Sequence, residues 1–157
     1  MLRTITLVAA ALVLTGTLEA QCPFSSVDTT DIGTGVGFLT PPTLSLSVDA
    51  TTCTLGVDVA ATGCCNTFPA GQFLAVGQNV YFTPIQLPPP FYAGSEIFFV
   101  PISIFGPLSL SADIALPNDA SLAGQYFFAQ SAVAYFTTIG MTIDWGVTQT
   151  VEFQLQI

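Results

Sequence analysis

Five stretches of the chain alternate apolar and polar residues with a period of two. In TLSLSVD, Leu44, Leu46 and Val48 fall on one face, and Ser45, Ser47 and Asp49 on the other. In TLGVDV, Leu55, Val57 and Val59 oppose Gly56 and Asp58. In PLSLSADIAL, Leu108, Leu110, Ala112, Ile114 and Leu116 oppose Ser109, Ser111 and Asp113. In MTIDW, Met141, Ile143 and Trp145 oppose Thr142 and Asp144. In TVEFQLQI, Val151, Phe153, Leu155 and Ile157 oppose Glu152, Gln154 and Gln156. Successive strand side chains point to opposite faces, so each stretch predicts a half-buried antiparallel strand with its apolar face inward. On that reading Trp145 is a core residue.

Two further stretches, Ile97 to Phe105 and Tyr126 to Phe136, are apolar on both faces and predict central or covered strands. No window of a dozen residues has helical periodicity. Glycine and proline punctuate the chain as short β-turns demand. The fold class is therefore all-β: an antiparallel β-sandwich, immunoglobulin-like or jelly-roll-like, of eight or nine strands. PNDASLAG, Pro117 to Gly124, predicts one helical turn, capped by Asp119 and ended by Gly124. LPPPF, Leu87 to Phe91, reads as a stiff connector where the chain crosses between sheets, rather than as a docking motif.

The N-terminal residues MLRTITLVAAALVLTGTLEA do not fit this pattern. A basic Arg3, an apolar run over Ile5 to Leu14 and small residues up to Ala20 have the layout of a secretory signal peptide. Cleavage after Ala20 is expected, which leaves residues 21–157 as a single domain. The run is too short for a membrane span, which needs about 20 apolar residues. Cys22 raises lipid anchoring, but Gln21 stands before it where a small residue is needed. The expected location is secreted, extracellular or cell envelope, with no membrane insertion of the mature chain.

Cleavage changes the charge picture. Arg3 is the only basic residue of the 157, and it leaves with the signal. The mature chain then carries nine carboxylates and no Lys, Arg or His. A side-chain salt bridge cannot form. Without a basic patch, nucleic acid and anionic membranes are disfavoured as partners. Solubility is expected to fall as the carboxylates protonate near pH values of about 4.

All four cysteines, Cys22, Cys53, Cys64 and Cys65, lie in the mature chain, and disulfides are the default for an exported protein. A bond between the adjacent Cys64 and Cys65 closes a strained eight-membered ring. Both remaining pairings join Cys53 to one neighbour and Cys22 to the other. Zinc is disfavoured because there is no histidine. A reactive vicinal pair is disfavoured because activated thiols usually sit beside cations.

The chemistry available is narrow. A serine nucleophile lacks a His or Lys base, and no GxSxG elbow occurs. A hydrolase working by two carboxylates needs a close pair, and Asp28, Asp31, Asp49, Asp58, Asp113, Asp119 and Asp144 mostly sit on the solvent faces of alternating strands. No catalytic residues are assigned, and the chain is not expected to be an enzyme. VDTTDIGTG, Val27 to Gly35, offers Asp28 and Asp31 with threonine hydroxyls as oxygen ligands, a calcium site that does not match an EF-hand loop. No cofactor is expected beyond this calcium.

The stretch ALPNDASLAGQYFFAQSAVAYF carries a resemblance. Leu116, Pro117, Asn118, Asp119, Leu122, Gly124, Tyr126, Phe127, Ala129 and Gln130 follow a pattern that resembles small secreted β-sandwich proteins abundant in planctomycetes and other envelope-rich bacteria. The distinctive part is Leu116 to Gln130. Tyr135 stands where an acidic residue often closes the pattern, and the last strand lacks a final glycine. That family is largely uncharacterised. The resemblance implies the fold and export, and makes the motif residues structural: a turn, a cap and a strand start.

Two functional readings follow. The first is a structural or interaction module of the bacterial cell surface or extracellular matrix, self-associating or bound to a surface partner through part of its 13 Phe, 4 Tyr and 1 Trp. The alternative is a carbohydrate- or ligand-binding β-sandwich, calcium-assisted, with Tyr81, Tyr92, Tyr126, Tyr135 or Trp145 as a stacking platform. Several of these on one exposed face would favour it. One expectation needs no structure: trypsin leaves the mature chain uncut, folded or unfolded, as a mass spectrum of the digest will show.

Overall fold

The computed structural model describes residues 21–157; the predicted signal segment, residues 1–20, lies outside them. In chain order the described residues form β1 (Ser26–Ile32), β2 (Thr43–Asp49), β3 (Thr54–Ala60), β4 (Thr67–Gln86), β5 (Glu96–Leu108), β6 (Ser111–Ala115), a 3-10 turn (Ala120–Leu122), β7 (Tyr126–Thr137), β8 (Thr142–Val147) and β9 (Thr150–Gln156). β2, β3 and β6 make one sheet in the order β2-β3-β6. The other runs β1-β9-β7-β4-β5, with β8 also on β7. All pairings between these strands are antiparallel.

The alternating stretches supply the apolar faces that join the two sheets. Leu44, Leu55, Val57 and Val59 of the small sheet share one buried cluster with Leu74, Phe127, Val133, Val151, Phe153 and Leu155 of the large one. The capped turn forms as the sequence predicts. Asp119 accepts a hydrogen bond from the Ser121 N–H at 3.0 Å, and Gly124 ends the segment at φ +71°.

Four features depart from the sequence reading. Val27 to Gly35, which offers Asp28 and Asp31 as calcium ligands, shows no strand pattern because Asp and Thr hide its alternation; pairing with β9 makes Ser26–Ile32 a strand. β4 has no regular pattern because its pairings slip at several positions, and at Gly77 a Cβ would collide with the Val100 carbonyl. LPPPF does not cross between sheets: it joins β4 to β5, which are neighbours in one sheet. One of the chain's four changes of sheet falls within PLSLSADIAL, where β5 ends at Leu108 and β6 begins at Ser111 in the other sheet. β5 tolerates Pro101 and Pro107 because it is an edge strand.

The cysteine pairing is also corrected. Cys22 is bonded to Cys53, with Cα atoms 5.1 Å apart, and Cys64 and Cys65 are both free thiols. The bond ties the N-terminal segment, with its buried Phe24, to the turn between β2 and β3.

Buried glutamines hold the joints between elements. Gln72 on β4 donates to the Ser109 and Leu110 carbonyls at 2.9 and 3.2 Å, and its own oxygen accepts from Ser131 at 2.6 Å. Gln149, between β8 and β9, accepts from the Leu44 N–H and donates to the Leu44 carbonyl, both at 3.0 Å, as a neighbouring strand would. Gln130 donates to the Glu96 and Thr148 carbonyls at 2.9 Å. Gln149→Leu strands a buried backbone N–H and a carbonyl, so urea unfolding is expected to show a loss of about 2–4 kcal/mol. Gln154→Leu, with no such role, is expected to change stability by less than about 0.5 kcal/mol.

Candidate functional site

β8 carries the clearest signal. The apolar residues at its start point away from the core, while Val147 at its end is buried. Ile143 is 52% exposed and Met141, just before the strand, 82%. Asp144 lies on the opposite face, opposite Tyr135, which is fully buried. The predicted inward face of MTIDW is therefore reversed. β8 adds to β7, and the β7 residues opposite Ile143 and Trp145 are Phe136 and Ala134. Those two belong to the outer face, because Tyr135 and Val133 point into the buried cluster.

The register assembles a continuous apolar surface there. Phe68 of β4 pairs with Phe136 of β7, which pairs with Ile143 of β8. The two phenylalanine rings meet edge-on at 5.5 Å, and Phe68 is 46% exposed. The next rung holds Ala134 between Gly71 and Trp145. Trp145 is half-buried, with Phe73 at 5.7 Å and Phe91 at 6.2 Å. Phe91 arrives on the LPPPF connector, which is fixed by the Tyr92 N–H donating to the Trp145 carbonyl at 2.8 Å. The surface ends at one pole in the exposed Ile139 and Met141 of the β7–β8 turn, and at the other in Ile104 of the edge strand β5.

The five aromatic candidates for a stacking platform do not share a face. Tyr135 is buried, and Tyr92 is half-buried against it with ring centroids 5.8 Å apart. Trp145 lies under Phe91, and Tyr81 is half-buried. Tyr126 alone of the five is well exposed, among Asp28, Thr30, Glu152 and Gln154 on one side and Gln78 and Asn79 on the other. Sequence phase could not have told Tyr126 from Tyr135, because both occupy a strand that is apolar on both faces.

The carboxylates are dispersed. Asp28 and Asp31 stand three apart on β1 and so face opposite ways. Asp28 accepts from Gln156 at 3.0 Å and Asp31 from Gln149 at 3.3 Å. The strand geometry therefore divides the proposed calcium pair. No group of three or more potential metal-ligating side chains occurs among the described residues. Asp58 and Asp113 lie exposed on the small sheet. Asp49 and Asp119 are held below the usual carboxylate range by hydrogen bonds from Thr51 and Ser121.

Tyr92 and Tyr135 are a pair of phenols whose rings meet edge-on, centroids 5.8 Å apart. Burial pushes both hydroxyls up, and for Tyr92 the Asp144 charge adds to it. In the unfolded chain tyrosines ionise at about pH 10. Folded, these two keep their protons longer. The stability they contribute is whole below about pH 10 and is lost as the pH rises through the folded values. An ultraviolet absorbance titration is expected to resolve two late tyrosines, and Asp144→Asn to bring Tyr92, not Tyr135, part of the way down.

No protein-family model, no curated protein and no solved structure matches the chain.

Proposed function

We propose that the chain is an exported, non-catalytic β-sandwich module of a cell surface or extracellular matrix, whose outer β4–β7–β8 face packs against a second copy of itself. The single observation that carries this reading is the reversed β8: Ile143 and Met141 are exposed while Asp144 is turned in. A large apolar patch on a soluble domain marks an interaction surface. Charge narrows the partner. Every copy carries the same surplus of carboxylates and no cation to offset them, so two copies can approach only where carboxylates are absent. The Phe68–Phe136–Ile143 rung and the Ile139–Met141 turn are such a place. Export and the resemblance to secreted β-sandwich proteins support the setting.

A second reading rests on Tyr126, whose exposed ring among carboxylates and amides suits the stacking and hydrogen bonding of a sugar ring. It uses a different part of the sheet, so the two readings can be separated.

Light scattering after gel filtration is the deciding measurement. The oxidised mature protein is expected to run heavier than a monomer, equally with calcium or chelator. Ile143→Glu is expected to weaken association at least about tenfold, since it places a buried like-charge pair in the interface, with little change in urea stability. A wild-type monomer at high concentration would sink the self-association reading. Binding in a glycan screen, lost in Tyr126→Ala, would then support the second.

A further inference from the structure

Cys64 and Cys65 are the two free thiols among the described residues. Their sulfurs are 3.2 Å apart, in the turn that leads into β4. Cys65 is exposed and Cys64 partly so. The turn is held on both flanks: the Thr67 N–H donates to the Cys64 carbonyl at 2.9 Å, and the Thr138 N–H to the Asn66 carbonyl at 2.8 Å. Cys65 adopts φ +57°, a left-handed conformation that residues other than glycine seldom occupy. The backbone is thus already bent to place both thiols on one side.

We propose that Cys64 and Cys65 are a thiol–disulfide exchange site that is closed to a vicinal disulfide by a small-molecule disulfide. Closing the bond needs the sulfurs to approach by only about 1.1 Å, given an S–S length of about 2.05 Å. Ring strain does not forbid the bond. It makes the bond easy to reduce again, which is the property of labile disulfides rather than structural ones. Nor is a cation required: a thiol without one ionises less, but its thiolate is the stronger nucleophile.

The steps follow from the geometry. Cys65, the more accessible, loses its proton to solvent, and its thiolate attacks one sulfur of the disulfide RSSR. The S–S bond of RSSR breaks, one RS⁻ leaves and takes a proton, and a mixed disulfide remains on Cys65. Cys64 then loses its proton and attacks the Cys65 sulfur, expelling the second RS⁻. Two protein thiols are oxidised and one RSSR is reduced to two RSH. The Cys64 thiol is held up by its hydrogen bond to Cys65, which fits its role as the second, resolving sulfur. Cys22–Cys53 takes no part.

The test uses the mature protein and oxidised glutathione. After exposure, free thiols are alkylated, the chain is cut with chymotrypsin, and the Cys64–Cys65 peptide is weighed. The wild type is expected to yield a peptide about 2 Da lighter than the dithiol, without glutathione or alkyl groups. Mild reductant is expected to reopen it while Cys22–Cys53 stays closed. Cys64→Ser is expected to stop at a stable glutathione adduct on Cys65. Wild-type peptide that keeps one or two glutathiones, links two chains or stays fully alkylatable overturns the proposal. None of these outcomes depends on whether the apolar face associates.

Discussion

The absence of any cationic side chain from the described chain is the constraint on which the rest of the structure depends. A buried carboxylate has no ion-pair partner here, and among the described residues every Asp and Glu is exposed or half-buried and none is fully buried. The polar connections that other domains make with charges fall to neutral amides. Gln72, Gln130 and Gln149 each bridge main-chain groups that strand pairing leaves open. A glutamine suits the task because its amide donates and accepts at once, as a peptide group does. Around Gln149 it stands in for a missing strand beside Leu44. Around Gln72 it ties β4 to the Ser109–Leu110 segment, where the chain passes from β5 in one sheet to β6 in the other.

The same constraint shapes the surface. With only one sign of charge, the surface has no complementary patches to steer partners, and recognition must rest on apolar contact, stacking and hydrogen bonds. The outer face around Phe136 and Ile143 is apolar and free of carboxylates, whereas the area around Tyr126 is polar and acidic. These two parts of one sheet could not serve the same kind of partner. The LPPPF connector contributes to the first by laying Phe91 on Trp145 and leaving Phe68 and Ile143 exposed.

The motif of Leu116 to Gln130 has a physical account that needs no activity. Asp119 caps a turn, Gly124 takes a positive φ, and Gln130 reaches across to the Glu96 and Thr148 carbonyls. The cap and the turn were legible because both are local and depend on residues a few positions apart. The role of Gln130 was not, because its partners lie 34 and 18 residues away.

Alternation in the chain was enough to establish an all-β fold and most of its strands, and composition the absence of cations after Arg3, because side-chain period and charge are properties of a segment alone. β2, β3 and β9 lie where their patterns place them. What alternation cannot say is which face of a strand meets the core. That is settled by the strand next to it, and β8 shows the consequence: pairing with Phe136 and Ala134 turned Ile143 outwards and Asp144 inwards. The partner of Cys53, the separation of Asp28 from Asp31, the slips in β4 and the burial of Tyr135 were likewise decided by tertiary pairing. Each depends on which distant residues become neighbours, and that information is in no single stretch of the chain.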